Sequence, residues 1–265
     1  MKIGNRTFNG GTHVMAIVNL TPDSFYEGSR ANDKDALYRV EKAIENGAEV
    51  IDIGGQSTRP SYVAISAQDE WKRIEQSVKA IKKNFDIPLS VDTFYPYVAQ
   101  NALEEGADLI NDIWGLQYDE NCAMAEIIAK YRASVCIMQN QNCISTEENL
   151  WKDIYAFLDK SVKLAKDAGI EENKILIDGG IGFGKTKEQN WTVLNEYEKL
   201  AKYGYPLLLG TSRKSMFGGE IKDRLQATLE STRLAVRKNV LFVRVHDVKE
   251  NYEAIKNEIA LLGEK

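Results

Sequence analysis

Eight short apolar runs in this chain close on residues that could do chemistry. In chain order the closing residues are Asn19, Asp52 with Gly54 and Gly55, Asp92, Asn111 with Asp112, Met138, Asp178, Ser212-Arg213-Lys214, and Arg244 with His246. A run that is apolar for three or four residues and then ends in Asp or Asn loses burial energy unless that group finds a partner. One such ending is an ordinary cap or turn. Eight in series point to a site. Asp92, Asn111 and Asp178 offer carboxylate and amide groups that pair with a nitrogen-rich heterocycle and hold its ring in plane. Arg59, Lys214, Arg244 and His246 supply positive charge for an anion such as diphosphate. The bland alternative is that the same charges neutralise one another in structural salt bridges.

The runs that carry these residues are Met15–Asn19, Val50–Ile53, Leu89–Asp92, Leu109–Asp112, Ser134–Met138, Ile175–Asp178, Pro206–Gly210 and Phe242–His246. Between them lie helical stripes: Trp71, Ile74, Val78 and Ile81; Ile154, Leu158, Val162 and Ala165; Tyr252, Ile255, Ile259 and Leu262. Their spacing keeps each set on one helical face. Asp247 stands where it could cap the last helix. Eight strand–helix units with short connections predict an α/β fold, a (β/α)8 TIM barrel, whose active residues belong at the C-terminal ends of the strands. An open doubly wound sheet is the competing architecture. No linker or low-complexity tract marks a boundary, so residues 1–265 are expected to form a single domain, with Phe8-Asn-Gly-Gly11 as a hairpin turn ahead of the barrel.

Composition narrows the function classes. A net charge of −5 argues against a nucleic-acid surface, which needs clustered Lys and Arg. Three cysteines, Cys122, Cys136 and Cys143, make no CxxC pair and fit a reducing compartment, so a cytoplasmic location is expected. With two histidines, His13 and His246, a His/Cys zinc cage is nearly excluded, and a metal would need oxygen ligands and a substrate phosphate. The apolar runs are strand-length and too short to span a bilayer.

Two loops mix Gly or Pro with hydroxyl, charged and aromatic groups: Thr21–Gly28 after the first run and Gly54–Ser61 after the second. Such loops suit lids that exclude water from a reacting centre. Gly179-Gly-Ile-Gly-Phe-Gly-Lys-Thr186 satisfies the G-x4-G-K-[ST] phosphate-loop pattern directly after a strand. Its position in the sixth unit of an eightfold alternation is the wrong context. The glycines there are better suited to letting backbone approach a flat ring, with Phe183 packing nearby.

Taken together, the motifs resemble those of the dihydropteroate synthases, within the pterin-binding barrel family. The resemblance runs from about Met15 to Val248 and rests on seven ordered signatures. These are Ile17-Val-Asn-Leu-Thr-Pro-Asp-Ser-Phe25, Ile51-Asp-Ile-Gly-Gly-Gln-Ser-Thr-Arg-Pro60, Ser90-Val-Asp-Thr93, Ile110-Asn-Asp-Ile113, Asp178 with Gly180–Thr186, Ser212-Arg-Lys-Ser215, and Val243-Arg-Val-His-Asp-Val248. The resemblance implies condensation of (7,8-dihydropterin-6-yl)methyl diphosphate with p-aminobenzoate in folate biosynthesis. It implies Mg2+ as cofactor, Asn19 as its ligand, and a homodimer. Asn19, Thr58, Arg59, Arg244, Val245 and His246 would surround the diphosphate. Asp92, Asn111, Met138, Asp178, Gly182, Phe183 and Lys214 would bind the pterin, and Phe25, Thr58, Pro60, Lys214 and Ser215 would face p-aminobenzoate. Lys214, Arg244 and Asp92 would be the catalytic members, and the family makes a sulfonamide target.

The chain also departs from the family pattern. Gln56 stands where Glu is usual, Gly179 where Pro is, Gln139 where His often is, Glu27 for an Asp and Ser61 for a Gly. A divergent paralogue, a corrinoid-linked methyltransferase of the same barrel family and a nucleotide-binding protein using Gly179–Thr186 are the rival readings.

Overall fold

The computed structural model describes residues 1–19, 29–56, 65–119, 121–141 and 144–263. A two-residue hairpin, β1 (Lys2–Ile3) and β2 (Arg6–Thr7), precedes eight further strands. These are β3 (His13–Asn19), β4 (Val50–Gly54), β5 (Leu89–Asp92), β6 (Leu109–Asp112), β7 (Ser134–Met138), β8 (Ile175–Asp178), β9 (Leu207–Leu209) and β10 (Phe242–Val245). All eight pair in parallel, each with its sequence neighbour, and β10 closes on β3. The helices that follow them are α1 (Ser29–Glu45), α2 (Ala67–Asn84), α3 (Pro96–Glu104), α4 (Ala123–Lys130), α5 (Leu150–Asp167), α6 (Lys187–Asn195), α7 (Leu225–Arg237) and α8 (Val248–Gly263). The eightfold alternation is therefore a closed TIM barrel, and the open-sheet alternative falls.

Strand alternation sorts the side chains into two layers. Val14, Ala16, Val18, Ile51, Ile53, Val91, Ile110, Val135, Ile137, Ile177, Leu209 and Val243 face the helices and build the larger core. Met15, Val50, Leu109, Cys136, Leu176, Leu208 and Phe242 fall between them and fill the lower barrel lumen. Ile3 and Phe8 complete that inner cluster, so the hairpin plugs the N-terminal end. The Phe8 ring meets Phe242 edge-on at 4.9 Å between centroids, a favourable aromatic geometry. The hairpin turn is not at Phe8–Gly11 as expected. It falls at Gly4–Asn5, where Gly4 takes φ +58, and Gly10 and Gly11 lie in the link to β3.

The stripes of α2 and α5 bury as expected, except that Val162 is only partly covered. That of α8 is turned. Its buried face carries Val248, Asn251, Ala254, Ile255 and Glu258, whereas Ile259 and Leu262 are 47% and 43% exposed. Apolar spacing misled here because two polar side chains on the inner face find partners on α7, one buried and one reaching in from the surface. Thr232 donates to Asn251 Oδ1 at 2.6 Å, and Arg237 donates twice to Glu258 at 2.7 and 3.2 Å. No helix among the described residues is long and apolar enough to cross a membrane.

Candidate active site

Above the apolar lumen the next inward positions are Asp52, Ser90, Asp92, Asn111, Asp178 and Arg244. Register alone brings Asp92 level with Asn111, and Met138 level with Asp178. Arg244 spans the mouth. Its Nε donates to Asp52 Oδ2 and its Nη2 to Asp92 Oδ2, both at 2.6 Å. Ser90 donates to the other oxygen of Asp52, which leaves that fully buried carboxylate satisfied on both sides. Asp92 differs: its Oδ1 is buried without a hydrogen-bond partner among the described residues. A buried acceptor left open costs stability unless a ligand fills it. Asn111, 4% exposed, likewise makes no side-chain hydrogen bond among the described residues.

The third acid, Asp178, is held by its surroundings. Its Oδ1 accepts from the Gly180 N–H at 2.8 Å, and the Tyr197 hydroxyl lies 3.3 Å away. That hydroxyl accepts from Gly179 N–H at 2.9 Å and donates to the Leu208 carbonyl. Opposite stands Lys214, whose amine donates to the Ile181 carbonyl and lies 4.8 Å from the centre of the Phe183 ring. Gly182, at φ +87, faces the lysine so closely that a Cβ would come within 3.0 Å of Lys214 Cδ. Met138 with Phe94 and Ile113 forms an apolar shelf, against which Trp114 and Phe183 pack. Carboxylates on one side, a cation on the other and an apolar shelf between them match a flat, nitrogen-rich ring.

Burial sets the charge states. It lifts the Asp92 carboxyl to about 6 against the pull of Arg244, with the Asp52 charge adding to the lift. Asp178 is raised by burial too, against Lys214. Burial lowers the Lys214 amine to about 8, while Asp178 opposes the drop. Burial also works against the Arg244 cation, but the Asp52 and Asp92 charges outweigh it and raise its pKa. At neutral pH the mouth therefore holds ionised Asp92 and Arg244 side by side.

The Ser212–Lys214 turn is pinned from several sides. Arg213, at φ +55, donates twice to Asp247 at 2.7 and 2.6 Å, and its N–H donates to Thr228 Oγ1 at 3.0 Å. Asp247 thus stands just before α8 but spends its carboxylate on Arg213. His246 is exposed, and its Nδ1 lies 2.9 Å from Ser212 Oγ. Ser215 is exposed beside Lys214. Val245 points the other way: its side chain is 2% exposed in the outer core, so only its backbone could meet a diphosphate. Phe25, Thr58, Arg59 and Pro60, the first proposed lid loop and the second from residue 57 onward, Glu27, Ser61 and Cys143 lie outside the described residues, as does the side chain of Asn19. Cys122 and Cys136 are free thiols.

The phosphate-loop reading of Gly179–Thr186 does not survive. Thr186 caps α6, accepting from Gln189 N at 3.1 Å while Gln189 Oε1 accepts from Thr186 N at 3.2 Å. The N–H groups of Gly179, Gly180, Gly182, Phe183 and Thr186 all have protein partners, so most of the donors a phosphate cradle would need are already spent. Among the described residues no group of three or more His, Cys, Asp or Glu side chains is placed to hold a metal. Sequence reasoning missed Asp52 as the partner of Arg244, Tyr197, and Ser90. Asp52 was visible as a strand-end acid, whereas Tyr197 gave no signal.

Comparison with known proteins follows the same lines. A family model described as "Pterin binding enzyme" matches residues 15–246. The dihydropteroate synthase of Clostridium beijerinckii is 47% identical, over 97% of both chains. That of Bacillus subtilis is 39% identical over 95% of this chain and 89% of its own. Among solved structures, the Clostridium difficile dihydropteroate synthase obtained with pteroic acid superposes with a TM-score of 0.91 at 41% identity, covering 98% of each chain. The Yersinia pestis enzyme in complex with a sulfonamide drug gives 0.91 at 35% identity, covering 99% of each.

Proposed function

The chain belongs to the dihydropteroate synthases among the pterin-binding enzymes, and from that premise we propose which of its residues perform the condensation. Its transferase reaction joins p-aminobenzoate to a dihydropterinylmethyl diphosphate, releasing diphosphate. The observation that carries the assignment is the convergence on one rim of Asp92, with its open Oδ1, Asn111, Asp178, Lys214 and Arg244.

In this reading the Asp92 carboxylate, the Asn111 amide and Asp178 take the donor and acceptor edges of the pterin, with Phe183 and Met138 against its faces. Lys214, between Asp178 and the Phe183 ring, binds the pterin and borders the p-aminobenzoate position with Ser215. Phe25, Thr58 and Pro60 are assigned to that position by their motifs. Arg244, Arg59, Thr58, His246 and the Val245 backbone receive the diphosphate. Arg244 is well prepared for this, because Asp52 and Asp92 fix its plane while its Nη1 has no internal partner among the described residues. The amine nitrogen of p-aminobenzoate forms a bond to the exocyclic methylene carbon as the carbon–oxygen bond to diphosphate breaks. The amine's surplus proton passes to solvent. A neutral aromatic amine is already nucleophilic, so the residues contribute by positioning it and by stabilising charge on the leaving group.

Mg2+ fits this mouth only as an ion held mainly by substrate oxygens and water. Asp52 has both oxygens spent, and Asn19, at the top of β3 level with Gly54, is the neutral oxygen donor the motif provides. Neutralisation of charge on the departing diphosphate is the chemistry such an ion would supply. We further propose a homodimer in the cytoplasm. The sparse free cysteines support the location, and the exposed Ile259, Leu261 and Leu262 of α8 offer an apolar face for the assembly.

The test is dihydropteroate formation from the two substrates, with and without Mg2+. Product is expected only with both substrates and the metal. No product under those conditions, with tight binding of ATP, would return the nucleotide reading.

A further inference from the structure

The motif that imitates a phosphate loop needs another explanation for its lysine. Lys185 does not face the mouth. Its amine donates to the Gly180 carbonyl at 2.9 Å, to the Phe183 carbonyl at 3.2 Å and to the side-chain oxygen of Gln139. Gln139 is fully buried at the end of β7, one residue past the ring-pocket Met138. The loop of residues 179–184 is laid flat on this exit segment. A Cβ on Gly180 would fall 1.8 Å from the Gln139 carbonyl oxygen, and one on Gly184 2.4 Å from that of Gln141. Both glycines, and Gly182 between them, sit at positive φ, where only glycine is free of strain.

The other attachments of the loop are single bonds: besides those of Gly179 to Tyr197, Gly180 to Asp178 and the Ile181 carbonyl to Lys214, there are two more. Asn190 Oδ1 takes the Gly182 N–H at 2.6 Å, and Gln141 Nε2 donates to the Gly184 carbonyl at 3.1 Å. Lys185 alone joins two loop carbonyls to the neighbouring strand end. Those carbonyls belong to Gly180 and to Phe183 itself, whose ring lies beneath Lys214.

We propose that Lys185 is a positioning residue for pterin recognition: it clips the 179–184 loop to Gln139 and so fixes Phe183 and Gly182 in the shape of the ring pocket. The proposal rests on the pterin reading of the site and adds to it a group that touches no substrate. It also gives Gln139 a purpose: burial draws the Lys185 amine down to about 7, and a neutral amide oxygen accepts from that amine whether or not it is charged.

The test uses the full chain. Lys185→Met keeps the length of the side chain and removes the donor. Binding of 6-hydroxymethylpterin by calorimetry should weaken about tenfold or more, the scale of losing several hydrogen bonds from one buried donor. KM for the pterin substrate should rise in step, with KM for p-aminobenzoate moving less than about twofold, and Lys185→Arg should restore most of the loss. A purely structural role would move both substrates alike. Pterin affinity equal to that of the unaltered protein in folded Lys185→Met would overturn the proposal. Should that variant not unfold cooperatively, Gln139→Leu decides. It removes one of three acceptors, so about threefold weaker pterin binding supports the clip and unchanged binding sinks it. These affinities need no turnover. An unaltered protein that binds pterin but makes no dihydropteroate would therefore fault the assigned activity and leave the clip standing.

Discussion

One barrel lumen contains two kinds of interior. In its lower half Met15, Val50, Leu109, Leu176, Leu208 and Phe242 are closed from below by Ile3 and Phe8. In its upper half, one inward step further up the barrel, Asp52, Asp92, Asn111 and Asp178 stand nearly as buried, together with the half-buried Arg244. The lower half gains from leaving water and needs no partner geometry. The upper half keeps charged groups out of water, with one of their acceptors still open, and so stores a demand that a ligand meets. Stability is concentrated at the bottom and recognition at the top, a division general to this architecture.

The sharpest break between the halves is Arg244→Ala. Activity should fall by about a thousandfold, as for loss of an electrostatic donor to a transition state. Removing the cation between Asp52 and Asp92 should also cost on the order of 3–5 kcal/mol in denaturant titration. Lys214→Ala should lose activity on a similar scale, and turnover retained in both variants would rule out the assigned site. Next, Leu176→Ala in the lower lumen should destabilise by about 2–5 kcal/mol while kcat/KM of the folded fraction stays within a few-fold. A large catalytic loss there would erase the distinction between the halves.

The pH dependence is opposite in sign to that of paired surface acids. Burial raises Asp92 to about 6, and Asp112 and Glu70 to about 7. The unfolded chain releases these protons first, from near the ordinary carboxylate range of 3.8 to 4.5. Stability should therefore be greatest at the acid end of this window and decline as pH rises through about 7. Glu70→Gln, behind the barrel wall, should flatten that decline in unfolding titrations across the window. His13→Ala should do least. At the N-terminal end of the barrel, His13 pairs with Glu49 and with the Gly10 carbonyl, 3.0 Å away, so turnover should change by less than about twofold.

Much of this was legible in the residues. Strand count, barrel closure and the placing of Asp92, Asn111, Asp178, Lys214 and Arg244 on one rim followed from periodicity and from polar strand ends, because both are local features of the chain. The α8 stripe and the hairpin turn were misread. Glu258 and Asn251 look like surface residues until Arg237 and Thr232 come to meet them, and Gly4-Asn5 competes with a glycine pair that turns the chain elsewhere.

By itself the sequence determined which groups stand at the barrel mouth, because an alternating strand assigns each residue to the lumen or to the helices by parity. The tertiary structure decided what those groups are bonded to. Asp52 and Asp92 share Arg244, Tyr197 braces the strand end beside Asp178, and Lys185 turns away from any phosphate to hold its own loop. Such pairings join residues as many as 192 positions apart. They depend on how closely strands and loops approach after the barrel closes, and no local pattern encodes that distance.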